Sequence, residues 1–238
     1  MRLCIIPARG GSKRIPRKNI KEFCGKPMIA YSIEAAKASG LFDKIVVSTD
    51  DKEIAEIAKH YGAEVPFMRP KELSDDHTAT IPVIAHAIRE TCYKEELSQL
   101  EAICCIYATA PFVQAMYIKE AYEKLRLTKA SYAFSATSFP FPIQRAIRLT
   151  KEDRVEMFSP ENFAVRSQDL EEAYHDAGQF YWGTPEAWLE SQVIFAPHST
   201  AILLPRHLVQ DIDTPEDWTR AEFMFKALGL HENAYTLR

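Results

Sequence analysis

Between residues 3 and 127 short apolar runs alternate with helix-length segments, and that rhythm admits few folds. Residues 3–8 form a continuous apolar run, as a strand buried on both faces requires. Pro27 stands at the first position of a helix that Gly40 stops. Ile45-Val46-Val47 follows as a β-branched strand. Asp50 or Asp51 can cap the next helix, whose Ile54, Ile57, Ala58 and Tyr61 share one face, and Gly62 ends it. A short strand at 63–67, a helix at 80–93, a strand at 102–107 and a helix at 115–127 continue the pattern. Such βαβα order predicts an α/β fold with a mostly parallel sheet and helices on both faces.

The rhythm changes near residue 130. Segments 131–138 and 144–149 read as strands on either side of Phe139-Pro140-Phe141-Pro142, and residues 151–176 are polar and irregular. Residues 179–182 and 200–204 read as further strands. Thr214 then caps a C-terminal helix with Pro215 in its first position and Trp218, Ala221, Phe225 and Leu228 along its apolar stripe. No repeat or linker divides the chain. The expectation is one domain over residues 1–238, with an insertion at about 138–180 whose Phe and Tyr side chains make it a candidate dimer contact.

Composition narrows the function. With 47% apolar residues the chain is not disordered, and a formal charge of −4 is the wrong sign for a general nucleic-acid binder. No apolar run reaches the ~20 residues of a membrane span, and the apolar start is too short for a signal peptide. The five cysteines are odd in number and lack C-x-x-C spacing, which argues against a disulfide framework or zinc site. A reducing cytoplasm is the expected location.

Against this mildly acidic background, the stretch Arg9–Lys26 carries seven basic residues and one acidic one, Glu22. It starts where the first strand ends, the edge at which open α/β sheets bind ligands. Gly10 and Gly11 allow close backbone approach, so that N–H groups can face phosphate oxygens while Lys and Arg supply charge. Neither G-x-x-x-x-G-K-[ST] nor G-x-G-x-x-G is present. The alternative is a solvated basic loop. Its position, its paired glycines and the stiffening prolines Pro16 within it and Pro27 just after it favour a triphosphate or similar polyanion.

Near the other end, Asp211-Ile212-Asp213 can aim two hard carboxylates to one side of an extended segment while Ile212 faces the core. Mg²⁺ suits such a pair, with substrate phosphates and water completing its shell. Asp213 also reads as a simple helix cap, as do Asp76, Thr78 and Thr80 before the helix at 80–93. The seven histidines are scattered, and no Ser-His-Asp spacing argues for a covalent nucleophile.

The run P-A-R-G-G-S-K-R-I-P-R-K-N-I at 7–20, followed by G-K-P-M-I-A-Y-S-I-E-A-A at 25–36, resembles the acylneuraminate cytidylyltransferases, the CMP-sialic acid synthetases and their relatives. Later motifs keep the family's order along nearly the whole chain. The resemblance implies a dimeric nucleotide-sugar-transferase α/β domain that joins CMP from CTP to the anomeric oxygen of an acidic 2-keto sugar and releases pyrophosphate. It implies triphosphate contacts at Arg9, Gly10, Gly11, Ser12, Lys13, Lys18 and Asn19, and base contacts at Arg69, Thr78, Ala79 and Thr80. It assigns Asp211 and Asp213 to Mg²⁺ and, with Arg9 and Lys18, to catalysis.

For the sugar it implies Tyr107, Thr109, Arg166, Gln168, Tyr174 and Gln179. Here the sequence departs from the common Q-P-T-S-P segment: Tyr107-Ala108-Thr109-Ala110-Pro111 puts a tyrosine in place of the sugar-contacting glutamine. Residues 174–182 also differ from the sialic acid pattern. Both departures resemble the branch acting on pseudaminic acid. The same chemistry on N-acetylneuraminate, legionaminate or 3-deoxy-manno-octulosonate stands beside it, as do an aldose 1-phosphate pyrophosphorylase and a non-catalytic nucleotide-binding relative. Tyr107 and Tyr174 also read as ordinary core aromatics.

Overall fold

The run at the start of the chain forms β1 (Arg2–Pro7), whose interior residues are buried on both faces. The structure, a computed structural model, describes residues 1–230. Of the single domain expected over 1–238, residues 231–238 lie outside the described residues. A two-residue hairpin, β2 (Glu22–Phe23) and β3 (Lys26–Pro27), closes the basic loop and leads into α1 (Met28–Ser39), capped by Gly40. Next come β4 (Lys44–Ser48), α2 (Lys52–His60), α3 (Thr80–Thr91), the short α4 (Lys94–Leu97), β5 (Ala102–Ile106) and α5 (Ala115–Thr128). The second part comprises β6 (Tyr132–Ser138), β7 (Ile147–Leu149), β8 (Val155–Met157), β9 (Tyr174–Gly183), α6 (Pro185–Leu189), β10 (Ser199–Leu203) and α7 (Pro215–Ala227).

Among the described residues the central sheet has six strands in the order β10-β6-β9-β5-β1-β4. Only β9 runs against its neighbours, so the sheet is mostly parallel as expected. Alternate residues of β1 serve opposite faces: Cys4 and Ile6 meet α1, α2 and α5, whereas Leu3 and Ile5 meet α3 and α6. Buried polar atoms are satisfied inside these layers. The Trp182 indole donates to the Ile118 carbonyl at 2.9 Å, and the Trp188 indole donates to the Ile103 carbonyl at 3.2 Å. Burial pushes the Cys4, Cys104 and Cys105 thiols up, away from the reactive thiolate form. None of the described helices is long and apolar enough to cross a membrane.

Five expectations change: Pro27 precedes α1 rather than opening it, β8 lies within the stretch 151–176 read as irregular, and three strands alter their bounds. The strand at 63–67 is a single bridge, Glu64 beside Val46, because Pro66 has no N–H with which to continue the ladder. The strand at 144–149 shortens to β7, since the chain after Pro142 turns tightly through Ile143–Arg145. The strand at 179–182 extends to ten residues in β9. Between β6 and β9 the chain leaves the sheet as an arm, where β7 pairs antiparallel with β8. Phe141 and Phe163 of the arm are 79% and 78% exposed, too much apolar surface for an ordinary loop.

A separate small core sits beyond the sheet edge. Ile15 and Phe23 of the basic loop pack with Met28, Phe112, Ile212, Trp218, Ala221 and Phe225. The Phe23 ring lies edge-on to Trp218 and Phe225, with centroids 5.4 and 5.3 Å away. Ile212 thus ties the aspartates on either side of it to the loop behind β1.

Candidate active site

A cavity of about 250 Å³ opens beside the C-terminal ends of β1 and β5. Arg9, Ser12, Lys13, Lys18 and Asn19 line it from the basic loop, Arg69, Thr78 and Thr80 from the segment before and into α3, Tyr107 and Thr109 from the chain after β5, and Asp213 from the approach to α7. Residues separated by nearly two hundred positions therefore face one space. Gly10, Gly11, Ala79, Asp211, Arg166, Gln168, Tyr174 and Gln179 are not among its walls.

Carboxylates bridge the cations pairwise. Asp76 holds Arg9 at 2.7 Å and also contacts Lys13, whose ammonium, ahead of Arg9, keeps the carboxyl below its ordinary range. Asp213 holds Arg14 at 2.8 Å and Lys18 at 3.3 Å, and Lys18 also donates to the Ile212 carbonyl at 2.7 Å. These partly exposed pairs contribute little to stability. They keep positive charge gathered on the cavity wall at the cost of ordering long side chains.

The loop itself is pinned from behind. Gly10 does not aim its N–H into the cavity: that group donates to Asp50 Oδ1 at 2.9 Å, and a Cβ at Gly10 would lie 2.8 Å from the Asp51 carboxylate. Asn19, buried, donates from Nδ2 to the Arg9 carbonyl at 2.8 Å and accepts the Ile29 N–H at 2.8 Å, which makes it a brace across the loop. Arg17, a residue sequence reasoning passed over, pairs with Asp51 and Glu53. The guanidinium holds the Asp51 carboxyl down at about 2, and Asp51 still caps α2 through the Ile54 N–H. A single aspartate thus fixes both the loop and a helix start.

Arg69, also lining the cavity, is 6% exposed and donates to the Ser48 carbonyl at 3.1 Å. Burial pulls its pKa down, and its Nε has no partner among the described residues. Thr78 and Thr80 are not caps: Ala79 occupies the cap position of α3 without a side-chain bond. Thr78 Oγ1 bonds Asp75 at 2.6 Å, whereas Thr80 Oγ1 and the Tyr107 hydroxyl bond each other at 2.9 Å. Burial raises the Tyr107 hydroxyl to about 12, so it stays a neutral hydrogen-bonding group.

Nor is Asp213 the cap of α7. Thr214 fills that place in a capping box with Asp217, leaving the Asp213 carboxylate for the cavity. Ile212 is buried and Asp211 lies beside it, its pKa raised first by lost hydration and then by the negative charge of Asp213. Two crowded hard oxygen donors of this kind fit a divalent cation, whose charge offsets their repulsion. No cluster of three or more Asp, Glu, His or Cys side chains suited to a metal occurs among the described residues, so an ion there would complete its shell with substrate oxygens and water.

The remaining residues assigned to the sugar lie elsewhere. Arg166 pairs with Asp169 at 2.6 Å on the exposed arm. Gln168 lines a second groove formed with Phe139, Phe141 and Leu170. Tyr174 donates its hydroxyl to Glu172 at 2.7 Å. Gln179 is buried and its amide donates to the Leu208 carbonyl, which makes it an internal bridge. An R-x-Q spacing or a glutamine in a strand says nothing about which way the neighbouring chain turns it.

Comparison with known proteins places this geometry. Residues 3–228 match the family described as cytidylyltransferase. The pseudaminic acid cytidylyltransferase of Campylobacter jejuni is 51% identical over 98% of this chain and 99% of its own. The CMP-N,N'-diacetyllegionaminic acid synthase of Legionella pneumophila is 32% identical over 98% of each. The solved CMP:2-keto-3-deoxy-manno-octonic acid synthetase shares the fold with a TM-score of 0.68 at 14% identity, covering 95% of this chain and 99% of that one. A cation-lined cavity at the strand ends, joined to a paired-aspartate segment and matched along almost its whole length, identifies this chain as a member of the cytidylyltransferase family of nucleotide-transferring enzymes.

Proposed function

We propose that the chain transfers CMP from CTP to the anomeric C2 hydroxyl of pseudaminic acid and releases pyrophosphate, using Mg²⁺. One observation carries the reading: Arg9, Lys13 and Lys18 line the same cavity as Asp213, Tyr107 and Thr80. The acceptor oxygen forms a bond to the α-phosphorus as the bond to pyrophosphate breaks, and both reactants are anions. Arg9, Lys13 and Lys18 screen their repulsion and hold charge on the departing pyrophosphate. Mg²⁺ held by Asp211 and Asp213 would clamp phosphate oxygens and lower the pKa of the attacking hydroxyl. Arg69, a guanidinium lining the cavity, suits a carbonyl acceptor on the base.

Tyr107 supports the acceptor assignment. Its ring offers an apolar surface and its hydroxyl is already engaged by Thr80, which suits a deoxygenated, di-N-acylated sugar better than a glycerol tail. Incubation with CTP, Mg²⁺ and a panel of nonulosonic acids, followed by pyrophosphate release, tests the reading. Pseudaminic acid is expected to give the largest kcat/KM, and a chelator is expected to stop turnover. Preference for N-acetylneuraminate or legionaminate rejects the acceptor.

The exposed Phe141 and Phe163, with the groove at Gln168, support a homodimer joined through the arm. Light scattering is expected to return twice the chain mass of 27.1 kDa. A single-chain mass at micromolar concentration removes the dimer. The buried thiols of Cys4, Cys104 and Cys105 suit the reducing cytoplasm in which a nucleotide sugar would be made.

A further inference from the structure

Strand β9 contains an irregularity that a sheet alone does not need. Phe134 pairs with Tyr181 and Ala136 pairs with Asp176, so β6 has Ser135 alone where β9 has residues 177–180. Bulges re-aim side chains and gather beside active sites. Gly178, at φ +63, makes the curl possible, and its N–H donates to Asp176 Oδ1 at 2.9 Å. Ser135, fully buried, fills the gap by bonding both the N–H and the carbonyl of Phe180 at 3.3 Å.

The curl has one geometric result. In a regular strand, residues five apart lie ~17 Å from each other and point to opposite faces. Here the Tyr181 hydroxyl donates to Asp176 Oδ2. The buried Tyr181 ring in turn lies against Tyr107, centroids 5.2 Å apart. The same bulge holds Tyr107 a second time, because the Gln179 carbonyl accepts the Tyr107 N–H at 2.9 Å. Tyr107 then bonds Thr80 across the cavity wall.

We infer that Asp176 and Tyr181 are positioning residues that set the acceptor side of the cavity: the Asp176 carboxylate holds Tyr181, and Tyr181 holds the Tyr107 ring in the place where it meets the sugar. The inference rests on the acceptor reading above and adds residues outside the cavity wall. Freed from Asp176, the buried Tyr181 hydroxyl would keep only its side-chain hydrogen bond with Tyr107, and the ring would tilt toward it, moving Tyr107. The phosphate loop is held independently by Asp50, Asp51 and Asn19 and would not follow.

Steady-state kinetics of Asp176→Ala, Tyr181→Phe and Asp176→Asn with CTP and pseudaminic acid test this. Asp176→Ala and Tyr181→Phe are expected to raise the KM for pseudaminic acid about tenfold, with the KM for CTP within about twofold of wild type. Asp176→Asn can keep its oxygen on the Gly178 N–H and donate from its amide to the Tyr181 hydroxyl, so it is expected to recover most of the loss. Tyr181→Phe preserves the buried ring, so it reports even if the alanine variant folds poorly. Unchanged acceptor KM in both Asp176→Ala and Tyr181→Phe overturns the positioning role alone. Equal rises in both KM values also overturn it, since they mean general disorder of the site. No turnover of pseudaminic acid by the wild type overturns the acceptor reading, and this inference with it.

Discussion

The Asp213→Asn variant is expected to lose turnover by about a thousandfold while binding CTP as tightly as wild type or more tightly. The two effects have one cause. Asp213 is the shared counter-ion of Arg14 and Lys18, so removing its charge leaves both cations facing the cavity unneutralised. The triphosphate gains from that. Chemistry does not, because the carboxylate pair that fits a divalent ion is halved. The fold is expected to persist, since Thr214 and Asp217 cap α7 without help from Asp213. Pyrophosphate release measures the first effect and titration calorimetry with CTP the second. Asp211→Ala is expected to abolish turnover in the same way. Activity within tenfold of wild type in Asp213→Asn would remove the metal role from this segment.

Arg9→Met is expected to act on the opposite parameter first. Arg9 leaves the end of β1 directly into the cavity, and its partner Asp76 lies on a loop that can yield it to a stronger anion. A charge-assisted bond to phosphate contributes ~1.5–3 kcal/mol, which predicts a ten- to hundredfold rise in the KM for CTP. The deficit should shrink as salt rises, because screening weakens the interaction in the wild type. Methionine keeps the stem, so packing beside the loop is little changed. A CTP KM within twofold of wild type would mean that the triphosphate lies elsewhere.

Much of the architecture was legible because it is written in local chemistry. Residues 3–8 and Ile45-Val46-Val47 carry the continuous apolar pattern of doubly covered parallel strands, and Gly40 and Thr214-Pro215 mark helix ends by their own backbone preferences. Asp211 and Asp213 stood out because alternation in an extended segment needs no tertiary information. The convergence of Lys18 with Asp213 did not follow from spacing; it depends on Phe23, Trp218 and Phe225 meeting edge-on. What stayed hidden were choices between partners. Gly10 could have offered its N–H to a phosphate, and a carboxylate forty residues away takes it. Asp-Ala-Gly at 176–178 fell outside the strand read at 179–182, yet the chain makes it a bulge inside a ten-residue strand. Gln179 turned inward to the Leu208 carbonyl, 29 residues on, while Arg166 turned outward to Asp169 within its own short turn.

The small aromatic core behind the loop has a consequence for when the enzyme comes into being. The Lys18 ammonium is anchored to a carbonyl 194 residues further on. A nascent chain therefore displays its cationic loop early in translation, before the acidic half of the site has been made. Until Ile212 and Phe225 emerge and dock, that loop is braced only by Asp50, Asp51 and Asn19, and the site is complete only when the last helix is in place.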